Sequence, residues 1–278
     1  MRHLFQQTVG VILLLLVAGS VTSCSFVKGI TAWVQPRDQF VATSANPEVR
    51  YLPGSQALAD RLAAAVSHSV EIVEKTHGVK FAHAPLMFVC HADCFTKFTS
   101  ASNQVAAAQF GDAVFMNADA LQEREQQRGM PPENFLTHEL AHLLLYQRAG
   151  AVAYKRVPSW FREGIAVLVS NDAGAEACTP ANAARKILDG KAFDPTEAGS
   201  VLREKTAWNY DLQPPVFYRE AELFVRYLRD RNPPAFQTAL LEIVGGKDFQ
   251  SSFSQAYGQS IASYWPEFVT TMNQIAGK

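Results

Sequence analysis

Thr137-His138-Glu139-Leu140-Ala141-His142 decides the reading of this chain. Each residue of an α-helix advances about 100°, so His138 and His142 stand about 40° apart on one face and one turn apart along the axis. At that separation two imidazoles reach a single ion. Glu139 points beside this face, where it can take a proton from a metal-activated water without filling a coordination position. Phe135, Leu136, Leu140, Leu143, Leu144 and Leu145 make the helix apolar. Two histidines and a carboxylate are costly to bury there without a partner such as a cation.

A catalytic zinc takes three protein ligands and keeps one position for water, so a third ligand is expected downstream. Where the metzincin signature has Gly and a third His, this chain has Leu145 and Arg148. The surviving candidate is Glu163, in Val157-Pro158-Ser159-Trp160-Phe161-Arg162-Glu163-Gly164-Ile165-Ala166. Pro158 and Ser159 start a second helix, with Ser159 the expected N-cap. Glu163 lies one turn inside it among Trp160, Phe161, Ile165, Val167 and Leu168, where a lone carboxylate calls for a cation.

His-Glu-Leu-Ala-His, twenty residues between His142 and Glu163, and the Trp-Phe-x-Glu-Gly-Ile-Ala context resemble the gluzincin metallopeptidases, most of all the bacterial peptidase MA-like families. The Glu-Gly-hydrophobic-Ala context after a Trp is more specific than the histidine motif. The resemblance implies Zn2+ held by His138, His142 and Glu163, with Glu139 as general base. It also implies an α+β fold: a small mixed β-sheet in the N-terminal part, the zincin-like metal-binding helix, then a mostly helical C-terminal half. In element order it covers about residues 80–270, but its specific motifs occupy only two stretches. Val114–Asn117 would be the edge strand flanking the cleft, able to receive a peptide as an added strand; an ordinary core strand is the competing reading.

The chain departs from the thermolysin-like pattern at Val167, where an acidic residue would orient a histidine. That support falls to Asp172 or to a main-chain carbonyl. In aminopeptidase-like members a tyrosine on a later helix stabilises the oxyanion. Tyr218 fits that role, sharing a helical face with Ala221, Val225 and Leu228; ordinary core packing is its competing reading, and Tyr210 is the reserve.

Outward from these motifs, residues 55–76 carry a helical apolar face of Leu58, Leu62, Ala65, Val66, Val70 and Val73. Extended pieces are expected at 39–41, 49–52, 86–89 and 113–117. Helices are expected at 132–149, 159–170, 180–189, 216–231, 234–244, 248–257 and 260–275. Residues 171–200, rich in Ala, Gly and Asp, are expected to frame the cleft. Residues 38–278 read as a single domain, with a sheet-containing part to 130 and a helical part beyond.

Arg2 and His3, an apolar run from Val9 to Ala18, and small residues ending at Cys24 read as an export signal over residues 1–23. A run of about ten residues is too short to span a bilayer. Val21-Thr22-Ser23-Cys24 resembles the lipobox of bacterial lipoproteins, which implies lipidation of Cys24 and a tether over 24–37; Ser25, not Asp, after the cysteine resembles the outer-membrane sorting pattern of Gram-negative bacteria, which implies anchoring there, facing the periplasm. Soluble secretion is the competing reading. In an oxidising periplasm Cys90 and Cys94 lie close enough to pair, leaving Cys178 single. A metal site at Cys90, His91 and Cys94 is the weaker alternative.

Lys and Arg total 25 against 26 for Asp and Glu; removal of residues 1–23 takes Arg2 and no acid, leaving 24 against 26. No basic excess exists to neutralise phosphates, which argues against a nucleic-acid partner. The chain has no Gly-x-Ser-x-Gly elbow, Walker A loop or Rossmann fingerprint. The expected function is zinc-dependent hydrolysis of a peptide or protein substrate, with the membrane contacted through the lipid anchor. The alternative is a non-catalytic envelope binding or assembly lipoprotein that retains the metallopeptidase fold.

Overall fold

Met87-Phe88-Val89-Cys90 sends alternate side chains into two cores, and this alternation organises the N-terminal part. The computed structural model describes residues 35–196 and 204–277, together with Ala32 and Val201. Five short strands form one sheet: β1 (Val41–Ala42), β2 (Val49–Tyr51), β3 (Met87–Cys90), β4 (Ala107–Gln109) and β5 (Val114–Asn117). Their spatial order is β1-β2-β3-β5-β4. β2, β3 and β5 are parallel, while β1 and β4 pair antiparallel at the two edges.

Successive strand residues face opposite sides of a sheet. Met87, Val89, Val114 and Met116 therefore enter the main core. Phe88, Cys90 and Phe115 enter a smaller one with Phe40, Phe95 and Phe98. With both faces covered, the parallel strands read as unbroken apolar runs. Each parallel strand is followed by a helix: α1 (Gln56–His77), α2 (Ala92–Thr99) and α3 (Ala118–Arg128). A disulfide between Cys90 and Cys94 ties the end of β3 to the first turn of α2.

The rest of the described chain is helical: α4 (Pro132–Ala149), α5 (Ala151–Arg156), α6 (Ser159–Val169), α7 (Pro180–Leu188), α8 (Pro214–Arg231), α9 (Pro233–Val244), α10 (Phe249–Tyr257) and α11 (Ile261–Ala276). The fold is α+β, with a small mixed sheet in its N-terminal part. α4 is the hinge of the arrangement, packed on α1, β4 and α6. Its buried Thr137 hydroxyl donates to Ser69 of α1 at 2.9 Å, which satisfies both polar groups at an apolar interface.

Gly164 explains how α6 and α8 come together. A Cβ there would lie 2.6 Å from both the Ala221 carbonyl oxygen and a Val225 methyl. Only a glycine lets the α8 backbone pass this close, and that approach brings the N-terminal turns of α8 alongside Glu163.

The structure corrects the sequence reading in several places. Val114–Asn117 is an interior strand, flanked by β3 and β4, so the edge beside α4 is β4. Ala106, Ala107 and Ala108 have weak strand preference and give little pattern from which to place that edge. Ser159 does not cap α6: Pro158 is the N-cap, and the Ser159 hydroxyl donates to the Lys205 carbonyl. The sequence pattern does not mark α2, α3 or α5; α3 buries only Ala118, Ala120 and Leu121 on an otherwise polar helix. The expected export signal, Cys24 and nearly all of the expected tether, as far as residue 34, lie outside the described residues. Among the described residues no helix is long and apolar enough to cross a membrane.

Candidate metal centre

α4 supplies two imidazoles from one face, and α6 faces it with one carboxylate. His138 and His142 bring their Nε2 atoms 3.2 Å apart. Glu163 Oε2 stands 3.3 Å from each of them. The three side chains form the one group of potential metal ligands found among the described residues. Both histidines are buried, at 5% and 6% exposure.

The triangle tests whether a metal fits. A tetrahedral ion with ligand distances of about 2.0–2.1 Å spaces its ligand atoms about 3.3 Å apart. The observed edges match that spacing, and the donor set of two imidazoles and a carboxylate suits a divalent ion such as zinc. Glu163 Oε2 is buried with no group in hydrogen-bonding geometry, an orphaned acceptor that a cation at the centre of the triangle would satisfy.

Electrostatics hold the trio together. Burial would raise the Glu163 carboxyl, but the two imidazoles, His142 foremost, outweigh it and hold its pKa well below the ordinary carboxylate range. Burial opposes a charge on His138, yet Glu163, Glu139 and the Ala173 main chain together raise its pKa. Its Nδ1 is buried with no group in hydrogen-bonding geometry.

Glu139 sits on α4 beside the triangle without joining it. The Gln109 main-chain N–H donates to its Oε2 at 2.6 Å. That bond orients the carboxylate and leaves Oε1 for another proton. Burial raises the Glu139 pKa, against the pull of His138 and His142. Asn117 N–H donates to Ala106 and Phe110 N–H to Ala113, so the even-numbered residues of this stretch face β5. By the alternation of an antiparallel ladder, Ala107 and Gln109 turn their main-chain groups outward along the free edge.

Tyr218, near the start of α8, lies with its ring centroid 6.1 Å from that of His138. The Glu163 charge, aided by burial, raises its phenol well above the ordinary value, so Tyr218 remains a hydrogen-bond donor. Tyr210 is placed differently: its ring stacks on Phe217 and meets Phe193. Asp172 accepts from buried Arg219 at 2.6 Å. The disulfide occupies the sulfurs of Cys90 and Cys94, and His91 bonds Asp119 at 2.6 Å, so these residues form no second metal group. Cys178 is a free, buried thiol.

Two contributors escaped the sequence reading. The Gln109 N–H is a main-chain group on a strand with no recognisable pattern. Tyr154 of α5 is buried under the Arg162 guanidinium, 4.4 Å from its ring centroid, and is close enough to Glu163 and Glu139 to feel both charges. No protein-family model matches this chain, and comparison with curated proteins likewise gives no match.

Proposed function

We propose that this chain is a zinc-dependent peptidase of the gluzincin type, acting at the bacterial cell envelope where a lipid on Cys24 anchors it. The observation that carries this reading is the convergence of His138 Nε2, His142 Nε2 and Glu163 Oε2 on one point, with the Glu139 carboxylate beside them. A zinc ion bound there would polarise the scissile carbonyl and increase the acidity of water.

The chain's own groups account for the remaining work. Glu139 Oε1 takes the proton of the attacking water and returns it to the leaving nitrogen, while the Gln109 N–H fixes Oε2. The Tyr218 phenol donates to the oxygen that gains charge. The outward main chain of Ala107 and the Gln109 carbonyl offer an extended peptide hydrogen bonds along the cleft.

The test is zinc content and peptide hydrolysis measured together on the purified chain. One zinc per chain is expected, lost on His142→Ala. Glu139→Gln should retain the metal and lose hydrolysis of a peptide library by several orders of magnitude, because an amide cannot accept the proton. A chain that takes up no zinc, or hydrolysis that survives Glu139→Gln, overturns the proposal. Zinc uptake without hydrolysis in the wild type favours the non-catalytic lipoprotein.

A further inference from the structure

The loop that follows α6 is held in an unusual way. Asn171 and Asp172 have φ of 52° and 74°, and Gly174 has φ of 87°. The first two are non-glycine residues in the left-handed region, which Asn and Asp adopt more readily than other side-chain-bearing residues. Arg219 of α8, 4% exposed, braces the loop they form. Its Nη1 donates to Asp172 Oδ1 at 2.6 Å and its Nε donates to the Cys178 carbonyl at 3.0 Å, gripping both ends of the loop. Glu222 accepts from Arg219 at 3.3 Å. Asn134 of α4 donates to the Asn171 carbonyl at 3.3 Å, and Glu176 pairs with Arg124 and Arg128 of α3.

This pinned loop runs against the metal centre. A Cβ on Gly174 would come within 2.8 Å of the Tyr218 ring and 3.5 Å of His138 Cε1, so the loop backbone touches both. One residue earlier, the Ala173 main chain acts on the His138 imidazole. His138 Nε2 is turned to Glu163 and His142, which leaves the buried and unsatisfied Nδ1 as the ring atom available to a carbonyl. A metal-bound histidine almost always passes its second N–H to a carboxylate, carbonyl or water that fixes the ring.

We infer that Arg219 and Asp172 are positioning residues: their ion pair fixes the 171–178 loop so that the Ala173 carbonyl receives the His138 Nδ1–H when the site is loaded. The inference rests on the metal reading above and adds the device that orients one ligand. The acceptor comes from a backbone carbonyl, and the side-chain pair acts by holding that backbone in place. Asp172 itself does not touch the imidazole; its carboxylate is committed to Arg219.

The test is performed on the full chain with zinc and with cobalt(II) as a spectroscopic substitute. Asp172→Asn removes the charge while keeping a residue that tolerates positive φ. Its zinc affinity, measured by competition with a chromophoric chelator, should fall about 10–100-fold, the range seen when the outer support of a ligand is lost. The visible cobalt spectrum should shift; apo-chain melting falls as well, because buried Arg219 loses a charged partner, so it is measured on the same sample and affinity is read where the chain is folded. Arg219→Lys, which keeps a charge but loses the planar fork, should shift affinity and spectrum in the same sense. A variant-free measurement stands beside these: in the zinc-loaded wild type, the His138 Nδ1–H proton should exchange slowly and resonate downfield. A wild type that binds no zinc overturns the metal reading and this inference together. A zinc-binding wild type whose variants match it in affinity and cobalt spectrum, or whose His138 proton exchanges freely, overturns the clamp alone.

Discussion

The sheet-containing part and the helical part bury different chemistry. Between residues 35 and 130, the buried side chains are apolar, aromatic or small and polar, apart from His77, whose burial lowers its pKa to about 4 and keeps it neutral. Beyond residue 130 the interior takes in His138, Glu139, His142, Arg162, Arg219, Glu220 and Glu222. Burying such groups opposes folding unless partners are supplied. The sheet half thus contributes a packed platform and one main-chain donor to the centre, whereas the helical half carries the titratable groups and bears their desolvation.

Glu220 offers the largest test of that contrast. It is fully buried in α8, and burial pushes its carboxyl up to about 8, with the Phe193 main chain and Lys186 acting weakly against this. Between the ordinary value of 4.5 and about 8, the unfolded chain has released a proton that the folded chain retains. Stability therefore falls as pH rises through that window and levels off above it, by at most about 5 kcal/mol at 1.36 kcal/mol per unit. Glu220→Gln should flatten the slope in denaturant unfolding from pH 5 to pH 8. A wild type with the same slope as the variant would break the view that the helical half buries charge at a cost in stability.

The same contrast explains what could be read from the sequence. His138, Glu139, His142 and Glu163 are side-chain contributors on helices, so their spacing survives in the sequence, and Glu163 was legible because a carboxylate in an apolar helix stands out. Apart from α5, the helix order from α4 onward follows from the 3.6-residue period and from prolines and glycines at its breaks. Gln109 and Ala173 contribute backbone atoms, which any residue type could present. Their role depends on β4 lying at the edge and on Arg219 holding a loop, both tertiary facts that no local pattern encodes. The placement of Val114–Asn117 at the edge failed for that reason: strand order is set by long-range pairing, and β4 carries alanines where a strand signal is weakest.

A smaller effect concerns Tyr218, the donor proposed for the helical half. Tyr218→Phe keeps the ring against Gly174 and His138 and removes the hydroxyl alone. Zinc content should persist while kcat falls roughly 100-fold, about 2.7 kcal/mol of lost transition-state stabilisation. If the phenol only packs, the loss appears instead as about 1 kcal/mol of stability with turnover preserved. Melting and hydrolysis measured on one sample separate the two outcomes.

The smallest effect bears most directly on the sheet half, because it asks whether a backbone N–H matters to the site. Gln109→Pro deletes the hydrogen that Glu139 Oε2 accepts, and it does so at a position where the strand can tolerate proline. Gln109 lies on an edge strand with its N–H directed away from β5, so no ladder bond is removed. Gln109→Ala retains that N–H and loses the same side chain, which makes it the baseline. Glu139 would then be held by one fewer donor in the proline variant, and its carboxylate would sample orientations unsuited to the proton. The expected result is equal zinc content in both variants and a kcat about tenfold lower for proline than for alanine, about 1.4 kcal/mol, the size of one hydrogen bond to a charged group. Equal turnover in the two would mean that the sheet half serves the centre only as packing. A large loss shared by both would move the contribution to the Gln109 side chain, whose amide donates to the Gly111 carbonyl and shapes the turn into β5.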